Sequence, residues 1–185
     1  LAPEPAAVRA RAELVEADMT ALALENGRFA LIILPYNSAM HLDSAGVLAA
    51  LRAARRLAAP GGQLLIDVIN PSAVAATPDD QSLTLEGVLS DSETAETIVQ
   101  MSSSRLDDDA QTLHITWIYD ASPMAGGPVT RTVAQGEYHY RYPHQWELLL
   151  REAGWQLQGL AGDYDGSVFG EESERLLLTA VIGDR

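Results

Sequence analysis

The sequence predicts an α/β domain carrying an inserted antiparallel β meander, on three observations. Two continuous apolar runs, FALIILP (29–35) and QLLIDVI (63–69), read as parallel strands covered by helices on both sides. Between them Val47, Leu51, Ala54 and Ala58 form a helical stripe, while Arg52, Arg55 and Arg56 point elsewhere. From residue 83 to 142 the pattern changes to period-two alternation, the mark of strands with one apolar face.

The elements follow in order. ELVEAD (13–18) is short and β-prone and reads as a first strand, followed by FALIILP. Asp43 or Ser44 caps the helix, and Pro60-Gly61-Gly62 stops it. QLLIDVI completes a strand–helix–strand crossover. In the middle region, TIVQMSSSRL (97–106) and TLHITWIYD (112–120) are strands joined by an Asp107–Asp109 turn. The second puts Leu113, Ile115, Trp117 and Tyr119 on one face and His114, Thr116 and Asp120 on the other. GEYHYRY (136–142) alternates Tyr138, Tyr140 and Tyr142 against Glu137, His139 and Arg141. Pro143 then opens a helix with Trp146, Leu149, Leu150 and Ala153 on one side, and Gly154 closes it. WQLQGLAG and RLLLTAVIG are the last two strands, joined by DYDGSVFGEESE. The division is an α/β core of residues 1–82 and 143–185, with residues 83–142 inserted as a lid.

Composition narrows the function classes. The 185 residues are 47% hydrophobic and 21% charged, which suits one globular domain. All 12 basic residues are arginine, against 26 acidic ones, for a net charge of −14. Such a chain repels phosphate backbones, which excludes nucleic acid and anionic membranes as general partners. With no cysteine, disulfides and thiolate metal sites are excluded, and no histidine box suggests another metal. LAPEPAAVRARAEL lacks the apolar run of a signal peptide, and no window nears ~18 apolar residues. The expectation is a cytoplasmic protein.

In open α/β sheets ligands bind beyond the carboxyl ends of the strands. Three such ends carry polar groups: Asp18-Met19, Pro35 to Ser38, and Asn70-Pro71. Each alone suits a strand terminus, but together on neighbouring strands they point to a cofactor cleft. Of the four histidines, only His41 follows one of these ends closely. No G-x-S-x-G, phosphate-binding glycine loop or paired-carboxylate signature is present.

EADM, RFALIILPYNSAMHL, LRAARRLAAPGGQLLIDVINP, WELLLREAGW and GDYDG, in that order, resemble class I S-adenosylmethionine-dependent methyltransferases. The likeness is to the small-molecule branch with glycine and sugar-amine N-methyltransferases, and N-S-x-x-H-L (37–42) is its most discriminating part. The resemblance implies a Rossmann-like sheet, S-adenosyl-L-methionine as cofactor, and N- or O-methylation of a small acceptor. Asp18 would accept from the adenine amino group, beside the Met19 amide, and the Leu34 carbonyl would hold the methionine amino group. Asn37, Ser38 and His41 would line the methyl-donor side, with His41 as the catalytic candidate. Asn70 and Tyr142 would face the acceptor. No arginine lies near Ile69 in the sequence, which speaks against an amino-acid acceptor.

The family's first strand, its glycine-rich D-x-G-x-G loop and its ribose-binding acid have no counterpart here. LAPEPAAVRARAEL resembles the later linker, so the expected sheet lacks its centre. The expectation is then either strand exchange in a homo-oligomer or ELVEAD pairing directly with FALIILP. Two other classes stay open: a non-catalytic methyltransferase-like module for binding or interaction, and a nicotinamide oxidoreductase.

Overall fold

The computed structural model describes residues 11–78 and 81–183. Its elements run β1 (Phe29–Leu34), a 3-10 helix (Ser38–His41), α1 (Ser44–Leu57), β2 (Ala58–Ile69) and α2 (Pro71–Ala75). Next come β3 (Thr84–Asp91), β4 (Glu96–Asp107), β5 (Thr112–Pro123) and β6 (Thr130–His139), then α3 (Pro143–Glu152), β7 (Trp155–Ala161) and β8 (Arg175–Ile182). Two four-stranded sheets result, ordered β1-β2-β8-β7 and β3-β4-β5-β6. The expected α/β core with an inserted antiparallel meander is the architecture observed.

Only β1 and β2 are parallel in the first sheet. Its register aligns Ile32 with Leu64, Leu34 with Ile66, Ile66 with Leu178 and Val68 with Leu176. These side chains meet Val47, Leu51 and Ala54 of α1 and Trp146 and Leu150 of α3 in one core. Full burial of a leucine such as Leu51, Leu150 or Leu178 contributes about 1.5–3 kcal/mol. The Asp43 carboxylate starts α1 by accepting from the Gly46 amide at 2.7 Å. The Trp155 indole N–H donates to the Leu51 carbonyl at 3.0 Å, tying β7 to α1.

Four expectations need correction. Among the described residues helices cover one face of the first sheet, not both: Leu31 and Ile33, pointing the other way, are 52% and 46% exposed. ELVEAD forms no strand and does not pair with β1, and Leu14 within it is 98% exposed. A β-prone stretch becomes a strand only against a partner's hydrogen bonds, and among the described residues β1 is paired on its β2 side alone. Pro60-Gly61-Gly62 does not stop α1, which ends at Leu57. It lies inside β2, with Gly61 at φ 74° beside a register shift against β1. A Cβ on Gly62 would sit 3.0 Å from the Phe29 carbonyl oxygen, so the strands approach too closely there for a side chain. Finally, GEYHYRY leaves the strand after His139. The Tyr140 amide turns to the Gln111 carbonyl, its hydroxyl donates to Asp108 at 2.5 Å, and Tyr142 becomes the extended cap before Pro143. The turn between β4 and β5 forms at residues 108–111, so Asp107 closes β4 and only Asp108 and Asp109 of the expected run lie in the turn. The linker reading of LAPEPAAVRARAEL falls mostly outside the described residues.

Candidate functional site

The site is built where β1 and β2 end side by side. After Leu34 and Pro35, Tyr36 and Asn37 both take left-handed conformations, at φ 51° and 64°. Each such non-glycine residue costs about 1–2 kcal/mol, so neighbouring groups must hold the turn. The Tyr36 amide donates to Asp67 Oδ2 at 2.9 Å, and the Asn37 amide donates to the Asp67 carbonyl at 2.9 Å. Asn37 Oδ1 accepts from the Ile69 amide at 2.8 Å and from Arg175 Nη2 at 3.1 Å. Sheet pairing places Arg175 opposite Ile69. From there Arg175 Nε reaches Asp67 Oδ1 at 2.9 Å, Nη2 bonds the same oxygen, and the Tyr164 hydroxyl donates to Asp67 Oδ2 at 2.9 Å.

Asp67 is 4% exposed. Burial alone would raise its carboxyl, but the Tyr36 amide, Arg175 and Tyr164 together hold it below the ordinary carboxylate value. The same contact with Asp67 pushes the Tyr164 phenol up.

Beyond the turn, the 3-10 helix buries Ala39 and Met40 and presents His41 to the second sheet. The His41 ring lies 4.7 Å from that of Tyr138, and Trp117 meets Tyr138 edge-on at 6.1 Å. Gly136 makes room for this aromatic group, since a Cβ there would come within 2.9 Å of the Trp117 ring. Arg141, 5% exposed, ties the two parts together. Its Nη2 donates to the Leu42 carbonyl at 2.7 Å and its Nη1 to the His139 carbonyl at 3.3 Å, while its guanidinium lies over the Trp146 ring. Burial pushes that guanidinium down, and Asp43 opposes the shift.

The candidate residues fall into two groups. Leu34, Asn37, Ser38 and His41 come together at this strand end. Asn37 turns its side chain inward, while the Ser38 hydroxyl oxygen is buried without a partner among the described residues. Asp18 lies in an exposed turn where its Oδ1 accepts from the Thr20 amide and hydroxyl, both at 2.8 Å, with Met19 between them. Neither contact reaches the Leu34–His41 group. Asn70 is wholly buried, its Nδ2 within 3.0 Å of the carbonyls of Gly170, Glu171 and Ser173 and its Oδ1 accepting from Ser72. It clamps the loop before β8. The ring neighbours of Tyr142 are Tyr140 and His144. Sequence reasoning missed Asp67, Arg175, Tyr164 and Arg141. A signal existed: Asp67 interrupts one apolar strand and Arg175 opens another, and buried opposite charges must find each other.

A cleft of about 960 Å³ lies elsewhere, lined by Arg52, Arg55, Arg56 and Arg151. There Arg55 and Arg56 occupy the last turn of α1 and Arg151 that of α3, where cations complement the helix dipoles. Among the described residues no His/Asp/Glu group could hold a metal ion, and no helix is long and apolar enough to cross a membrane.

No family model matches the sequence, and no curated protein matches it. Solved structures do. The CcbJ methyltransferase from Streptomyces caelestis is 22% identical at a TM-score of 0.74, over 92% of this chain and 63% of that one. An S-adenosylmethionine-dependent methyltransferase from Clostridium acetobutylicum gives 14% and 0.73, over 91% and 63%. A sugar N-methyltransferase from Streptoalloteichus gives 22% and 0.68, over 91% and 61%. The chain thus shares the fold of S-adenosylmethionine-dependent methyltransferase structures. It spans a little under two thirds of the length of these three neighbours.

Proposed function

We propose that the protein carrying these residues transfers a methyl group from S-adenosylmethionine to a small-molecule acceptor, at nitrogen or oxygen. The observation that carries this reading is the left-handed Tyr36–Asn37 turn at the carboxyl ends of β1 and β2. It leads into a 3-10 helix whose His41 meets the aromatic face of the inserted sheet, on a fold shared with enzymes of that class. The residues present fit the methionine end of the cofactor: the strand end at Leu34, and a buried Ser38 hydroxyl with no partner among the described residues. They do not supply its ribose end, because the 185 residues contain no glycine-rich D-x-G-x-G loop.

When bound, the cofactor supplies an electrophilic methyl group. The chain's part is to position, and to exclude water. The His41 ring packs on Tyr138 of the second sheet, and the acceptor pocket is assigned to that side. An amine acceptor arriving neutral needs no general base, so His41 orients it in this scheme.

Calorimetric titration of S-adenosylmethionine and of its demethylated product should give comparable affinities, since both share the adenosine. No heat from either ligand would defeat the proposal. A second reading, a binding module without turnover, is favoured by the uncovered Leu31 and Ile33 side of β1. A cooperatively folded protein that gives no heat with either ligand and methylates none of a panel of amines and hydroxyl compounds would select it.

A further inference from the structure

The Asp67–Arg175 pair is not explained by stability. A buried ion pair must offset the desolvation of both charges, and apolar residues of similar volume in its place are often neutral or stabilising. Asp67 interrupts the apolar end of β2, and Arg175 opens the largely apolar β8. What the pair has that an apolar pair lacks is a set of directed side-chain bonds, and two of them go to one turn. The carboxylate accepts from the Tyr36 amide, the guanidinium donates to Asn37 Oδ1, and the Asp67 carbonyl accepts from the Asn37 amide. Two of the four anchors of a strained two-residue turn therefore come from the side chains of one ion pair, while the Asp67 backbone carbonyl supplies the third and the Ile69 amide the fourth.

The fork geometry matters. Arg175 reaches Asp67 with Nε and Nη2 while Nη2 also reaches Asn37, which a lysine ammonium at the same position cannot reproduce. Tyr164 adds a contact of a different kind. It sits in the loop between β7 and β8, is mostly exposed, and touches the carboxylate only through its hydroxyl.

We infer that Asp67 and Arg175 are positioning residues: they lock the Tyr36–Asn37 turn so that Leu34, Ser38 and His41 keep the geometry that receives the methyl donor. This rests on the methyltransferase reading, but the locking itself can be measured without any ligand. Hydrogen exchange should be followed at the amides of Tyr36, Asn37 and Ile69 in the wild type and in Arg175→Lys. The expected result is exchange faster by about tenfold or more at these three amides, the loss of a hydrogen bond to a charged group. Amides of β5 should be unchanged, and the dissociation constant for S-adenosylmethionine should rise by about tenfold. If Arg175→Lys loses its cooperative melt, the neutral pair Asp67→Asn with Arg175→Gln carries the same measurements. Unchanged exchange at the three amides overturns the inference, and so does faster exchange with unchanged donor affinity. A wild type that binds no donor defeats the methyltransferase reading instead, and the exchange data then judge the lock alone.

Discussion

Asp18 and Asp67 each accept hydrogen bonds from an amide and a hydroxyl, and in both the carboxyl is held below its ordinary value. The partners differ in reach. Those of Asp18 are both on Thr20, two residues away, in an exposed turn. Those of Asp67 are Tyr36, Tyr164 and Arg175, brought from three separate parts of the chain. Sequence pattern favours the first kind of carboxylate, which follows a recognisable local run. Only tertiary pairing reveals the second. Similar local chemistry therefore says little about which aspartate organises a site.

The largest effect should come from removing the long-range partner. Asp67→Ala leaves Arg175 buried without its carboxylate and frees the Tyr36 amide, which should cost about 3–5 kcal/mol. Chemical denaturation read by circular dichroism measures it. A loss near zero would mean that the turn and the β2–β8 junction do not depend on the pair.

A smaller effect is expected at the other wall of the site. Gly136→Val pushes a side chain into the Trp117 ring and against Tyr138, where the added Cβ alone would be 2.9 Å and 3.2 Å away. Overpacking of this kind costs about 1–3 kcal/mol. The change should also weaken the near-ultraviolet signal of the Trp117–Tyr138 pair. An unchanged spectrum would show that the aromatic group is looser than its geometry implies.

The contrast also marks what the sequence could tell. Periodicity and local capping located β1, α1, β5, α3, β7 and β8, because each is recorded within a dozen residues: the apolar run of FALIILP, Asp43 before the Val47–Leu51 stripe, Pro143 and Gly154 around a helix. It found the Leu34–His41 strand end for the same reason. It failed where the outcome depends on a partner elsewhere. ELVEAD has strand composition but no neighbour to bond, and GEYHYRY keeps its alternation past the point where Gln111 and Asp108 draw Tyr140 out of the strand. No arginine lies near Ile69 along the chain, and only the pairing of β2 with β8 sets Arg175 opposite it, where it bonds Asp67 and Asn37.

The smallest expected effect tests the comparison most directly, through pH. A carboxyl depressed in the folded state contributes stability above the unfolded value near 3.9, and that stability is lost as pH falls through the folded value. For Asp67 the unfolded chain keeps none of the partners, so the full difference between states counts. For Asp18 the Thr20 amide and hydroxyl stay two residues away even in the unfolded chain, where the same turn can form. The difference between states is then small, although the folded shift has the same sign. Urea midpoints between pH 7 and pH 3 should therefore fall steeply below about pH 4 in the wild type and equally steeply in Asp18→Ala. They should fall less steeply in Asp67→Asn, which has already lost the ionised form. Because each variant is compared with the wild type, the remaining carboxylates cancel. If Asp18→Ala flattens the profile as much as Asp67→Asn, then the Asp18 turn is held by tertiary structure after all.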